Sequence, residues 1–143
     1  MIDFNVKLTG REYDELELYC ERHGLDMSEF IRELIVSRTR DRVHFKDDLI
    51  SVVCDVFDVE VKAVFSENRK RELVMARVVI GRLLRMNTKM TYSKIGELLN
   101  RDHSSVVYYV NLFEDEMQFN EWFKSKANEV CARMTVKGYK VVM

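Results

Sequence analysis

The sequence contains no proline, and only five of its 143 residues are glycine. Proline interrupts helices because it lacks a backbone N–H and clashes with the preceding turn, so this chain has few points at which a helix must stop. Hydrophobic residues make up 47% of the chain, which is enough to bury a core, and from residue 47 onward they recur at helical spacing. The sequence therefore predicts a mainly α-helical protein.

The first residues follow a different pattern. In the segment DFNVKLT, residues 3–9, apolar and polar side chains alternate, which is the period of a strand. Capping-box motifs that begin at Thr9 and Asp26 predict two helices after it, and Gly24 is placed to end the first of them. A β-α-α unit is therefore predicted within residues 1–43.

This N-terminal stretch, FNVKLTGREYDELELYCERHGLDMSEFIRELI, resembles a ribbon-helix-helix domain. In that family the strands of two copies pair and enter the DNA major groove, so the resemblance implies a homodimer formed through the N-terminal strand. It also implies that Asp3, Asn5 and Lys7 face outward, with Asn5 and Lys7 as DNA contacts, and that a phosphate lies near Met27 and Ser28. Residues 1–42 contain seven basic and ten acidic residues, so dimerisation without DNA contact is an equally open alternative.

Charge is unevenly distributed along the chain, although its net charge is only −1. Between Lys62 and Tyr109, ten lysines and arginines stand against four acids, a net charge of +6. A basic segment inside an acidic chain is typical of a surface that binds a polyanion such as nucleic acid. Solvated helix faces are the alternative explanation of the same residues.

The cysteines and the apolar runs exclude several classes of protein. Cys20, Cys54 and Cys131 are odd in number and far apart, so they predict neither a disulfide scaffold nor a zinc site, and we expect no metal or cofactor. The N-terminus has no apolar signal region, and no run approaches the ~18 apolar residues that cross a bilayer. These features predict a cytoplasmic protein without a membrane segment.

The stretch LLNRDHSSVVYYV places Asp102, His103 and Ser104 side by side before an apolar run. Neighbouring residues on a helix point about 100° apart, so these side chains cannot form a hydrolase relay, and the sequence has no phosphate-binding P-loop motif. We therefore expect no enzymatic activity. Carboxylate, imidazole and hydroxyl groups at the start of a helix are instead suited to reading base edges in the major groove, although Asp102 can also act simply as the N-cap of that helix.

From about residue 48 to residue 115 the chain resembles the C-terminal DNA-binding domain of the bacterial replication initiator DnaA. The segment RDHSSV, residues 101–106, matches the signature of that domain, KIGELL matches its preceding helix, and SENRKR matches its basic loop. Asn100 stands where the family has two glycines, so the turn is one residue shorter. The resemblance implies a Trp-repressor-like helix-turn-helix bundle.

The same resemblance implies the DNA contacts. Bases are expected to be contacted by four residues at the start of the recognition helix: Asp102, His103, Ser104 and Ser105. Arg69 of the basic loop is expected in the minor groove with Arg71 close by, and Arg77 is expected to hold a phosphate. Four further residues complete the predicted contacts to the DNA backbone or minor groove: Lys70, Thr91, Lys94 and Arg101.

Together these features predict two modules followed by a C-terminal segment. Residues 1–43 form the predicted dimerisation unit, residues 44–118 the helix-turn-helix DNA-binding domain, and residues 119–143 a helix and tail that pack on it. The predicted function is sequence-specific binding of double-stranded DNA, in transcriptional or replication control. The alternative is a protein-interaction module, like antitoxin-type ribbon-helix-helix dimers, in which DNA binding is secondary.

Overall fold

The computed structural model describes Asp3 and residues 5–143, with the exception of the side chains of residues 37 and 39–43. The chain divides into two compact units, Met1–Asp41 and Arg42–Met143. In the described residues the regular structure consists of eight α-helices: α1 (Gly10–His23), α2 (Met27–Val43), α3 (Phe45–Phe57), α4 (Val61–Val64), α5 (Arg71–Asn87), α6 (Tyr92–Leu99), α7 (His103–Phe119) and α8 (Glu121–Val136).

The predicted N-terminal strand, and with it the β-α-α part of the predicted fold class, is wrong. Asp3 and residues 5–9 have no regular secondary structure, and no strand occurs in any part of the chain that the structure describes. Phe4, one of the alternating apolar residues, lies outside the described residues. Alternation gives a segment two faces, but a strand also needs a second strand to pair its backbone N–H and C=O groups. Asn5 and Lys7, the predicted DNA contacts of this strand, are exposed in the irregular segment.

Both N-terminal helices begin, and the first of them ends, where the capping motifs indicated. The Thr9 hydroxyl accepts a hydrogen bond from the Glu12 N–H at 3.3 Å, and the Glu12 carboxylate accepts one from the Thr9 N–H at 2.8 Å, which confirms the first capping box. Gly24 ends α1 with φ of 62°, a conformation that glycine adopts without strain. The Asp26 carboxylate accepts from the Glu29 N–H at 3.0 Å and begins α2. These local predictions are confirmed because each depends on residues only three positions apart.

The second unit is a helical bundle built around α5. Helix α5 packs against α3, α4, α6 and α7, while α8 packs against α3 and α7. Because it has neighbours on several sides, α5 is apolar around most of its circumference, and burying each large aliphatic side chain contributes about 1.5–3 kcal/mol. The fully buried aliphatic and aromatic residues of the bundle include Leu49, Val53, Ile80, Leu83, Leu84, Ile95, Leu99, Phe123 and Met134.

The C-terminal residues after α8 have no regular secondary structure, but they are bonded to the bundle. Tyr139 is buried, meets the ring of Phe45 edge-on at 5.2 Å and donates a hydrogen bond from its hydroxyl to Asp48. The Asn87 side chain donates to the Val142 carbonyl and accepts from the Val142 N–H, each at 2.7 Å. In the described residues, no helix is long and apolar enough to cross a membrane.

Candidate nucleic-acid interface

Helices α6 and α7 form a helix-turn-helix with a turn of only three residues. Thr91 caps α6 by accepting from the Lys94 N–H at 3.2 Å. Asn100 ends that helix in the left-handed conformation, with φ of 53° and ψ of 47°. Asp102 then caps α7 by accepting from the Ser105 N–H at 2.7 Å. Asn100 supplies the left-handed residue of this turn, because asparagine tolerates that geometry better than most residues.

A glycine in α6 sets how closely the two helices approach. A Cβ atom placed on Gly96 would lie 2.6 Å from the backbone carbonyl oxygen of Arg101. That distance is shorter than any normal contact between a carbon atom and a backbone oxygen. The Arg101 N–H donates to the Gly96 carbonyl at 2.8 Å, so the same two residues also hold the turn together. The start of α7 is thus fixed against α6 by backbone contact.

The first turn of α7 presents the residues that the signature predicted as base contacts. Asp102, His103 and Ser104 are exposed and Ser105 is half-buried. The hydrogen bonds that its carboxyl accepts from the backbone and side chain of Ser105 hold the pKa of Asp102 below its ordinary value, so this group is an ionised acceptor at neutral pH. Capping uses Oδ1 of Asp102, and a carboxylate has a second oxygen with which it can accept from a base. Capping and base contact are therefore compatible.

Residues 65–70, called the basic loop below, connect α4 to α5 and are shaped by their own polar side chains. The Ser66 hydroxyl donates to the Ala63 carbonyl at 2.6 Å, and the Asn68 N–H donates to the Ser66 hydroxyl at 3.3 Å. The Asn68 side chain in turn accepts from the Lys70 N–H at 3.0 Å. Arg69 and Lys70 are left exposed at the surface. The basic loop is thus an ordered turn that displays two cations.

The Arg77 side chain points into the protein interior. Its side chain is completely buried in α5, and its guanidinium donates four hydrogen bonds to backbone carbonyls at the end of α4 and in the basic loop. The resemblance to the DnaA domain implied a phosphate contact for this residue. In the structure we assign Arg77 to the interior instead.

Of the remaining predicted backbone and minor-groove contacts, Arg71 and Arg101 interact with other parts of the protein, whereas the others are free at the surface or form only a surface ion pair. Arg71 is exposed but stacks on the ring of Trp122, with its guanidinium carbon 5.4 Å from the ring centroid. Arg101 is half-buried and donates to the Ser66 carbonyl at 2.6 Å. Lys94 is exposed, and its ion pair with Glu97 at 3.5 Å is a surface pair of little energetic consequence. Thr91, Arg69 and Lys70 are also exposed.

One groove of about 740 Å³ brings the basic loop and the start of α7 to the same surface. Arg69 lies on one side of it, and Ser104 and Ser105 lie on the other. Tyr108, which is 59% exposed, also lines the groove and was missed by the sequence analysis. Its signal was the spacing of four residues from Ser104, because residues four apart share one face of a helix.

Comparison with known proteins matches the same part of the chain. Residues 46–112 match the protein family described as bacterial dnaA protein helix-turn-helix. The chain is 32% identical over 114 residues to the chromosomal replication initiator protein DnaA of Bacteroides fragilis, which covers 79% of this chain and 24% of that protein. It is 49% identical over 59 residues to the protein of the same name from Mycoplasma pneumoniae, which covers 41% of this chain and 13% of that protein. The chain therefore spans about a quarter or less of the length of these relatives.

Proposed function

Because residues 46–112 match the bacterial DnaA helix-turn-helix family, we propose that this protein binds double-stranded DNA in a sequence-specific manner and acts in replication or transcriptional control. Its role is one of binding rather than catalysis, in the cytoplasm beside the chromosome. The observation that carries the proposal is the single groove in which exposed Arg69 faces the first turn of α7. A major-groove helix with a cation beside it is the arrangement that reads bases and grips the adjacent backbone.

Each residue type at the start of α7 suits a different part of base recognition. The ionised Asp102 accepts from the amino group of cytosine, His103 donates to the major-groove acceptors of guanine, and the two serine hydroxyls serve either role. The His103 ring meets the Tyr92 ring edge-on, with the ring centroids 5.6 Å apart. Arg69 and Lys70 bind the backbone or the minor groove, where cations find the strongest negative potential.

The test is selection of bound duplexes from a random pool, followed by titration of the best sequence and of a scrambled one. His103→Ala should cost about 1–3 kcal/mol on the selected sequence and little on the scrambled one. Lys94→Ala serves as the matched control, because a lost phosphate contact weakens both sequences alike. A pool that yields no enriched sequence would refute specific binding, and equal losses for His103→Ala on both duplexes would remove its reading role.

The N-terminal unit supports a second proposal, that two copies of the chain associate. Cys20 is the one buried residue among the described side chains of this unit, whereas Val6, Leu18 and Tyr19 are 61%, 49% and 47% exposed. A unit of this size with almost no buried side chains of its own gains stability when a second surface covers its apolar residues. This association does not involve a strand. The protein-interaction alternative, with DNA binding secondary, is not favoured.

Sedimentation equilibrium of the full chain tests this association. Tyr13→Lys should shift the dimer to monomer, because Tyr13 is 46% exposed and lines an apolar groove together with Val6 and Leu16. Val136→Lys is the matched control, since Val136 is 89% exposed on α8 of the other unit. A wild-type chain that sediments as a monomer at tens of micromolar would refute the proposal, and an equal effect of both variants would exclude α1 as the interface.

A further inference from the structure

We propose that Arg77 and Arg101 are positioning residues that fix the basic loop against the helix-turn-helix. Arg69 and the start of α7 then bind DNA at a fixed distance from each other. The inference rests on the proposed DNA binding and assigns a role to two arginines that do not themselves read DNA. It explains why one basic side chain of the helical bundle is completely buried.

Arg77 binds the backbone of the basic loop and of the end of α4 from the interior of the bundle. Its Nε donates to the Val64 carbonyl at 2.8 Å and its Nη1 to the Asn68 carbonyl at 2.7 Å. Its Nη2 donates to two carbonyls, those of Ala63 at 3.1 Å and Ser66 at 2.8 Å. A guanidinium carries five N–H donors in a planar fork, so one side chain satisfies four carbonyls that curve around it. Two of these carbonyls belong to α4 and two to the basic loop, whose Arg69 and Lys70 side chains are exposed.

Arg101 holds the same loop from the side of the turn. Its Nη2 donates to the Ser66 carbonyl at 2.6 Å, the oxygen that Arg77 also uses. The neighbouring Asn100 side chain donates to the Phe65 carbonyl at 3.5 Å. The Ser66 carbonyl therefore connects the basic loop both to α5 and to the helix-turn-helix.

The charged form of Arg77 is disfavoured by its surroundings, although its hydrogen bonds stabilise it. Burial, and after it the charge of Arg101, lower the pKa of Arg77 from its ordinary value. Two guanidinium groups near each other repel, and the carbonyl oxygens between them offset that repulsion. Because Arg101 directly precedes the N-cap of α7, a shift of the basic loop at Ser66 is transmitted to the start of the recognition helix. Losing either arginine should therefore alter the spacing between Arg69 and α7.

Lysine cannot replace Arg77 in this arrangement. An ammonium group is a single donor centre and cannot reach four carbonyls that are spread around a planar fork, although it keeps the charge. Arg77→Lys therefore separates geometry from charge. If Arg77 bound a phosphate, the lysine variant would retain most of the affinity, since lysine also binds phosphate.

The decisive experiment is a double-mutant cycle on the selected duplex, read by fluorescence anisotropy. In the wild-type background, Arg69→Ala should weaken binding about tenfold, whereas in the Arg77→Lys background it should cost less than about twofold, because the loop no longer delivers the arginine. Lys94→Ala is the matched control, and its cost should be the same in both backgrounds. Independent effects of Arg77→Lys and Arg69→Ala would overturn the proposal.

Hydrogen exchange on the DNA-free protein provides a second measurement. The amides of Asn68 and Lys70, which bond within the basic loop, should exchange faster in Arg77→Lys, while the amides of α3 keep their protection. If Arg77→Lys does not fold, Arg101→Met tests the proposal instead, because the half-buried Arg101 donates the second hydrogen bond to the Ser66 carbonyl. Arg101→Met should then give the same loss of coupling to Arg69. A wild-type protein that binds no duplex would refute the proposed function, whereas unchanged exchange at Asn68 and Lys70 would refute the fixing of the basic loop.

Discussion

Substituting alanine for Gly96 should displace the recognition helix. The new Cβ would lie 2.6 Å from the carbonyl oxygen of Arg101, and an ordinary contact needs about 3.4 Å, so the turn must move by roughly 0.8 Å. Overpacking of this kind costs about 1–3 kcal/mol, while replacing a helical glycine by alanine returns about 0.5–1 kcal/mol. We therefore expect Gly96→Ala to lower the free energy of unfolding by about 1–2 kcal/mol.

Gly81→Ala provides the matched control in the same bundle. A Cβ atom on Gly81 would lie 3.7 Å from the Cβ of Tyr109, which is an ordinary van der Waals contact. This variant should therefore gain about 0.5–1 kcal/mol from the better helix propensity of alanine. Urea unfolding, followed by circular dichroism, measures both changes, and the two substitutions should differ by about 1.5–3 kcal/mol.

DNA affinity gives the second readout of the Gly96 substitution. Because Arg101 and Asp102 directly precede the recognition helix, a shift of this size should weaken binding to the selected duplex about tenfold. Gly81→Ala should leave the affinity unchanged. If Gly96→Ala proved as stable as Gly81→Ala, the close approach of α6 to the turn would not exist, and a normal affinity in a destabilised protein would show that the turn relaxes without moving the helix.

Three further predictions concern the groove and the core. Tyr108→Phe should weaken binding about threefold on every duplex, by removing a hydroxyl that donates to a phosphate, and equal affinities would leave the tyrosine without a DNA role. Glu67→Gln should strengthen DNA binding, as measured by anisotropy, because it removes a negative charge that lines the groove near Arg69. Glu129→Gln should not, because Glu129 does not line this groove. Burial raises the pKa of Cys54 from 9.0 to about 11, so the folded state keeps a proton that the unfolded state releases. Unfolding free energy should therefore fall by up to ~1.4 kcal/mol per unit between about pH 9 and pH 11, relative to Cys54→Ala over the same range.

The caps and turns of this protein could be predicted because their causes are local. Thr9, Thr91 and Asp102 each precede a helix with the side-chain oxygen that its first amides require, and the structure gives each of them that role. Asn100 adopts the left-handed geometry that the short turn demanded. The resemblance to the DnaA domain likewise rests on a contiguous signature. What a few neighbouring residues determine can be read directly from the sequence.

Partners that are distant in sequence explain what could not be predicted. The alternation of residues 3–9 indicated a strand, but alternation does not supply the second strand that such a segment requires. Arg77 reaches carbonyls nine to fourteen positions away, and Arg71 stacks on a tryptophan that begins the last helix, so neither partner is visible in a local pattern. A cation in the sequence indicates charge but not the direction in which the side chain points.

The same distinction applies to the net charge of +6 between Lys62 and Tyr109. Arg82 donates to the Val110 and Met143 carbonyls and pairs with Glu114 at 3.0 Å. Arg85 donates to the Met90 carbonyl and lies over the Tyr92 ring at 4.6 Å. Together with Arg71, Arg77 and Arg101, these residues make five of the ten cations that bind within the protein. All ten contribute to the long-range field, but only a cation that touches a phosphate releases a counterion.

The salt dependence of DNA binding should therefore be about half of what the sequence alone suggests. Each phosphate contact contributes about −0.9 to the slope of log affinity against log salt, so ten contacts would give about −9. Five exposed cations of this segment are available to phosphates, since none of them has a partner stronger than the surface carboxylate of Glu97: Lys62, Arg69, Lys70, Lys89 and Lys94. Five phosphate contacts limit the slope of one module to about −4.5. Titrations between about 50 and 200 mM salt measure it directly. A slope near −9 per module would mean that the inward-bound arginines turn outward on DNA, which is incompatible with a fixed basic loop.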